Sequence, residues 1–109
     1  MNIVNRGFLS VKPKQIFWDW ANKINTEIQF SEEEGEETIY LITEEFFDEE
    51  PIIEQHFKKI FKNELIAVTE DEDTWPVERT IDVFLEWFNI HLGSMVFDLE
   101  KSNLLSEKI

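Results

Sequence analysis

Fourteen of the 24 acidic residues fall in three bunches, at residues 32–37, 44–50 and 70–73, and the segments between them are largely apolar and periodic. A chain punctuated in this way can build one core only if the acids lie in connections and at helix starts, where solvent and the helix dipole both favour them. The asymmetry is strong. Residues 1–31 hold four bases and two acids, a charge of +2, whereas residues 32–109 hold six bases and 22 acids, a charge of −16. A formal net charge of −14 would point to disorder if apolar content were low. Apolar residues instead reach 42%, with ten Phe and four Trp, so the acid must sit outside a folded core. The 109 residues suffice for one core and not for two independent ones. The expected division is a single domain over residues 1–100 and a frayed C-terminal tail over 101–109.

The segment GFLSVKP alternates Phe8 and Ser10 against Leu9 and Val11, which predicts an opening strand ending where Pro13 can enter a first helical turn. On a wheel of about 100° per residue, Ile16, Phe17, Trp20, Ala21 and Ile24 share the core side of the helix that follows, and Trp18 falls with Gln15 and Asn22 on the polar side. A short strand over residues 27–30 is optional. Residues 38–43, TIYLIT, read as a strand apolar on both faces. Asp48, Glu49, Glu50 and Pro51 then start a helix whose buried stripe is Ile53, Phe57, Ile60 and Phe61. Continuing that stripe would include Glu64. Either the helix loosens near Asn63, the preferred reading, or Glu64 is a partly buried carboxylate that needs a partner.

In TEDEDTWPVERTIDVFLEWF, Asp73 or Thr74 suits an N-cap and Pro76 a first turn, while Val77, Ile81, Phe84, Leu85 and Phe88 recur at helical spacing. On the opposite side Glu78, Asp82 and Glu86 line up at i, i+4 and i+8, with Arg79 beside them to offset their repulsion. In GSMVFDL, Met95, Phe97 and Leu99 alternate with Ser94 and Asp98, a strand with one buried face. The order β-α-β-α-α-β predicts an α+β two-layer domain: a three- or four-stranded mixed sheet covered on one face by about three helices.

The segments VKPKQIFWDW, TIYLIT, WPVERTIDVFLEWF and SMVFDL, in that order, resemble a family of small acidic bacterial proteins that are uncharacterised in activity. The resemblance spans most of residues 4–99. It implies no catalytic residue and no cofactor.

The residue types exclude several chemistries. Without cysteine there is no disulfide, thiolate nucleophile or Cys-bound zinc. His56 and His91 stand alone, outside any HExxH or paired helical spacing, and the run at residues 71–82 places Trp75 and Pro76 where an EF-hand loop needs an oxygen ligand and a glycine. Gly7, Gly35 and Gly93 are isolated, so no phosphate-cradling loop motif is present. Ser94 and His91 are close in sequence without a nucleophile elbow, and 24 acids make carboxylate pairs uninformative. No catalytic, cofactor or metal residue is assigned. Arg6 and Lys12 interrupt the N-terminal segment before it reaches signal-peptide length, and no stretch reaches membrane-span length, so a cytoplasmic location is expected.

Recognition by surface is the class that is left. The candidate interaction residues are Trp18, Trp75, Glu78, Arg79, Asp82 and Glu86, since both Trp residues escape the core stripes and Trp often anchors interfaces. Packing under a flanking loop is the ordinary use of each Trp, and internal salt bridges are the ordinary use of Arg6, Lys12, Lys14 and Arg79. The leading expectation is a non-catalytic protein–protein interaction module of inhibitor, immunity or nucleic-acid-mimic type. It would bind a basic protein, and neither nucleic acid directly nor membrane. The alternative is a small-molecule-binding protein or enzyme with a pocket near Arg6, Trp75, Arg79 and Asp98.

Overall fold

A computed structural model describes every residue of the chain except residue 28. Among the described residues the elements follow as β1 (Asn2–Val4), β2 (Gly7–Pro13), α1 (Gln15–Ile24), β3 (Thr38–Ile42), α2 (Glu49–Ile66), a 3-10 turn (Glu72–Thr74), α3 (Ile81–Trp87), β4 (Phe88–Gly93) and β5 (Val96–Asp98). The main sheet has the order β3-β2-β4, and β1 pairs with β5 in a separate ribbon. In the main sheet Leu9 faces Tyr40 and Leu92, while Val11 faces Thr38 and Ile90. Both Leu9 and Val11 are 0% exposed, because β2 is the middle strand and its inner face meets the helices.

The result is an α+β two-layer domain with three helices against one face of a three-stranded sheet. Every described pairing is antiparallel, and none supplies the parallel pair of a mixed sheet. The core joining the layers is largely aromatic. Phe61, Phe84 and Phe88 form a triangle with ring centroids 5.2–5.7 Å apart, and Phe17 of α1 reaches Phe88 at 5.4 Å.

Several expected elements differ. The optional strand over 27–30 includes residue 28 and so lies outside the described residues. The helix expected from Pro76 begins at Ile81, and Val77, expected in its core stripe, is 96% exposed. Two local preferences cause this. Trp75, preceding a proline, is extended at φ −72°, ψ 156°, and Thr80 caps α3 by accepting from the Val83 N–H at 3.3 Å. The acidic run caps something shorter, since the Asp71 carboxylate accepts from the Asp73 N–H at the head of the 3-10 turn. The chain leaves the helix at Phe88, which is extended and faces Pro13 in the sheet. The alternation of Phe88, Ile90 and Leu92 is therefore a strand, masked in sequence by helical spacing carried over from Phe84.

The helix over residue 64 does not loosen. It runs unbroken to Ile66 with Glu64 buried inside it, so the second of the two readings is the correct one. β5 exists, but its faces are inverted: Met95, Phe97 and Leu99 are exposed, and Val96 and Asp98 are half-buried. β5 pairs with β1 in a register one residue off that of the adjoining β2–β4 ladder, and a one-residue slip turns every side chain to the other face. β3 is an edge strand whose outer side chains, Ile39 and Leu41, are exposed. Residues 99–109 form neither helix nor strand.

Candidate functional site

The polar side of α1 is a clasp for the loop that follows it. The Asn22 side-chain amide donates to the Phe30 carbonyl at 2.8 Å, and its oxygen accepts from the Phe30 N–H at 2.9 Å, completing both backbone bonds of one residue as a strand partner would. About two turns earlier on the same side, Gln15 Oε1 accepts from the Glu32 N–H at 3.0 Å. Between these tethers lies Trp18, its ring 5.4 Å from that of Phe30 and 4.9 Å, edge-on, from that of Phe17. Gly35 sits on the indole so closely that a Cβ there would come within 2.6 Å of Cζ2 and 2.8 Å of Nε1. Trp18 is thus half-buried beneath a loop, and its Nε1 is buried without a hydrogen-bond partner among the described residues.

The opposite side of this region is a carboxylate on α2. Glu64 is 8% exposed and accepts from the Tyr40 hydroxyl at 2.7 Å. Asn63 donates to the same Tyr40 oxygen at 2.9 Å, which orients the phenol toward the carboxylate. Burial pushes the Glu64 carboxyl above its ordinary range, and the bond from Tyr40 restrains that rise. Burial likewise pushes the Tyr40 phenol up, so it remains a protonated donor. Phe17, Trp18, Phe30, Glu34, Glu36 and Glu64 are among the residues lining a cleft of about 540 Å³ bounded by α1, the loop, the start of β3 and the end of α2. Its walls are aromatic and its ionisable groups are acids.

The other sequence candidates lie elsewhere. Trp75 is 7% exposed and its indole donates to the Thr69 carbonyl at 3.0 Å, so it closes the core rim and presents no exposed anchor. Arg79 lies over that ring, 5.7 Å from its centroid, and donates to the Pro76 carbonyl at 2.8 Å. Asp82 and Glu86 remain one turn apart on α3, but Glu78 precedes the helix, so the three-acid stripe does not exist. Arg6 and Asp98 belong to the β1–β5 ribbon and its exit turn, and neither lines the groove that Trp75 and Arg79 share. None of the grooves described brings Arg6 or Asp98 together with Trp75 and Arg79, as the expected pocket of Arg6, Trp75, Arg79 and Asp98 would require. Three basic exceptions satisfy backbone carbonyls instead of acids: Arg6 donates to Asn5, Arg79 to Pro76, and Lys14 to Leu85 in the last turn of α3. The sequence reading missed Tyr40 as a partner for Glu64, and its signal was the placement of Glu64 on an apolar stripe.

Among the described residues, no group of three His, Asp or Glu side chains is arranged to hold a metal ion, and no helix is long and apolar enough to cross a membrane. No protein-family model matches the chain, no curated protein matches it, and no solved structure matches it.

Proposed function

We propose that the protein is a non-catalytic interaction module for a basic protein partner, and that the cleft beside Trp18 receives a basic side chain of that partner. The observation that carries this reading is the meeting of Glu34, Glu36 and Glu64 with the rings of Phe17, Trp18 and Phe30 around one cleft. A Lys or Arg side chain has an apolar stem for aromatic walls and a cationic head for acids, and a cation beside aromatic faces gains further attraction. The −16 charge carried after residue 31 steers such a partner and repels nucleic-acid phosphates. The partner thereby replaces, at the folded surface, part of the charge neutralisation that the chain lacks.

A lysine- and arginine-rich peptide titrated at low and at physiological salt tests the proposal. Binding should weaken with salt, because surface attraction is screened over about 8 Å at physiological ionic strength. The double variant Glu34→Gln, Glu36→Gln should weaken binding more than Glu44→Gln, Glu45→Gln, which removes the same charge away from the cleft. Equal losses in the two variants would reduce the interaction to diffuse charge and reject the cleft, and absence of binding at low salt would reject the module.

A further inference from the structure

Three cationic side chains meet in one groove of a chain dominated by acid. Lys58 and Lys62 stand one turn apart on α2, and Arg79 comes from the segment between the 3-10 turn and α3. With Phe61, Glu72 and Trp75 they line a groove of about 370 Å³. The groove therefore gathers three of the ten bases around one carboxylate, a local charge of +2 within a molecule of −14. Like charges one helical turn apart repel each other, so the arrangement favours a counter-charge between them.

One wall of the groove is already set. Trp75 is fixed by its bond to Thr69, and the Arg79 guanidinium is held over the indole with Nη1 on the Pro76 carbonyl. A guanidinium carries five N–H donors in a planar fork, so most remain for a ligand, and a fork held on an aromatic face has little freedom to lose. Lys58 and Lys62 add two ammonium groups on long stems from α2. We infer that this groove binds a phosphate monoester. At neutral pH such a group carries about two negative charges and three acceptor oxygens, which matches the local charge and the donors. A carboxylate leaves one positive charge unmatched. A polyphosphate brings excess charge against Glu72, which lines the groove, and against the adjoining acids of residues 70–73. This site is separate from the cleft beside Trp18 and does not depend on it.

The test is a titration of the full chain with phenyl phosphate, inorganic phosphate and phenyl sulfate at matched ionic strength, followed by ¹⁵N-correlated NMR. Phenyl phosphate should shift the Trp75 indole N–H and the Arg79 side-chain N–H, and phenyl sulfate, with one charge, should bind more weakly. Lys58→Gln, Lys62→Gln changes only exposed side chains and should weaken phenyl phosphate binding by at least about tenfold. Glu72→Gln should strengthen it by removing the competing carboxylate, an effect a purely structural role for the groove would not give. Equal affinity for inorganic and phenyl phosphate assigns recognition to the ion alone, and tighter phenyl phosphate binding assigns it to an organic monoester; either supports the site. Shifts reproduced by chloride at the same ionic strength, equal binding of the sulfate ester, or indifference to both variants would overturn it.

Discussion

The Tyr40 hydroxyl donates to Glu64 Oε2 at 2.7 Å, joining an edge strand to the end of α2 through a buried carboxylate. A carboxylate taken from water onto an apolar helix stripe is costly unless hydrogen-bonded, and this bond is what makes the position tenable. It also fixes one wall of the cleft beside Trp18.

Tyr40→Phe should therefore destabilise the protein by about 1–3 kcal/mol, because it removes a donor from a buried acceptor while leaving the ring in place. Urea midpoints at neutral pH measure the difference. An unchanged midpoint would show that solvent satisfies Glu64 and that the phenol is dispensable.

The pH dependence follows from the raised carboxyl of Glu64. In the unfolded chain it titrates near about 4.3, so above that value the native state holds the proton more tightly than the unfolded state does. Its contribution is fully present below the unfolded value and is lost as pH rises through the folded one. General self-repulsion of the acids changes in the same direction, so the comparison must be with Glu64→Gln, which keeps an acceptor for Tyr40 without the charge. The variant should be the more stable protein at neutral pH and the two should converge in acid. Stability curves parallel across that range would refute the assignment.

Phe84 and Val77 separate the observed helix from the one its spacing suggests. Phe84 is 0% exposed, with ring neighbours Phe57, Phe61 and Phe88, so Phe84→Ala should cost about 3–5 kcal/mol. Val77→Ala should stay within about 0.5 kcal/mol, as expected for an exposed position. Thermal or denaturant unfolding decides both, and a large effect at Val77 would restore the longer helix.

Gly35→Ala should disturb the loop over Trp18, since the added methyl meets an indole wedged between Phe17 and Phe30 and unable to swing aside. Overpacking of this kind costs about 1–3 kcal/mol. The same variant should shift Trp emission to longer wavelength as the cover lifts. Unaltered emission and midpoint together would mean that the loop yields freely.

Local periodicity determined much of this fold. The core residues Phe17, Ala21, Phe57, Ile60, Phe61 and Phe84, the strands at Gly7–Pro13 and Thr38–Ile42, and the α+β class all follow from spacings of two or of three to four residues. The same signal failed where two periods overlap. Phe84, Trp87 and Phe88 satisfy a helix while Phe88, Ile90 and Leu92 satisfy a strand, and the junction is fixed by Phe88 pairing with Pro13, a contact 75 residues away in the chain.

The candidate cleft was legible only in fragments, for a related reason. Gln15, Trp18 and Asn22 share the polar side of α1 in any reading, but a helical wheel cannot distinguish side chains that meet water from those that bind a returning loop. Glu64 on an apolar stripe left two readings, a loosened helix, which the sequence favours, and a buried carboxylate with a partner; only the packing of β3 against α2 decided for the second and supplied Tyr40. The sequence by itself determined the part of the core whose burial follows the local period, at Phe17, Ala21, Phe57, Ile60, Phe61 and Phe84, because that period is a property of neighbouring side chains; it misplaced Val77, which is exposed, and Trp75, which is buried. The tertiary structure decided who meets whom, including the convergence of Lys58 and Lys62 with Arg79, because those distances depend on how distant segments pack and leave no periodic trace along the chain.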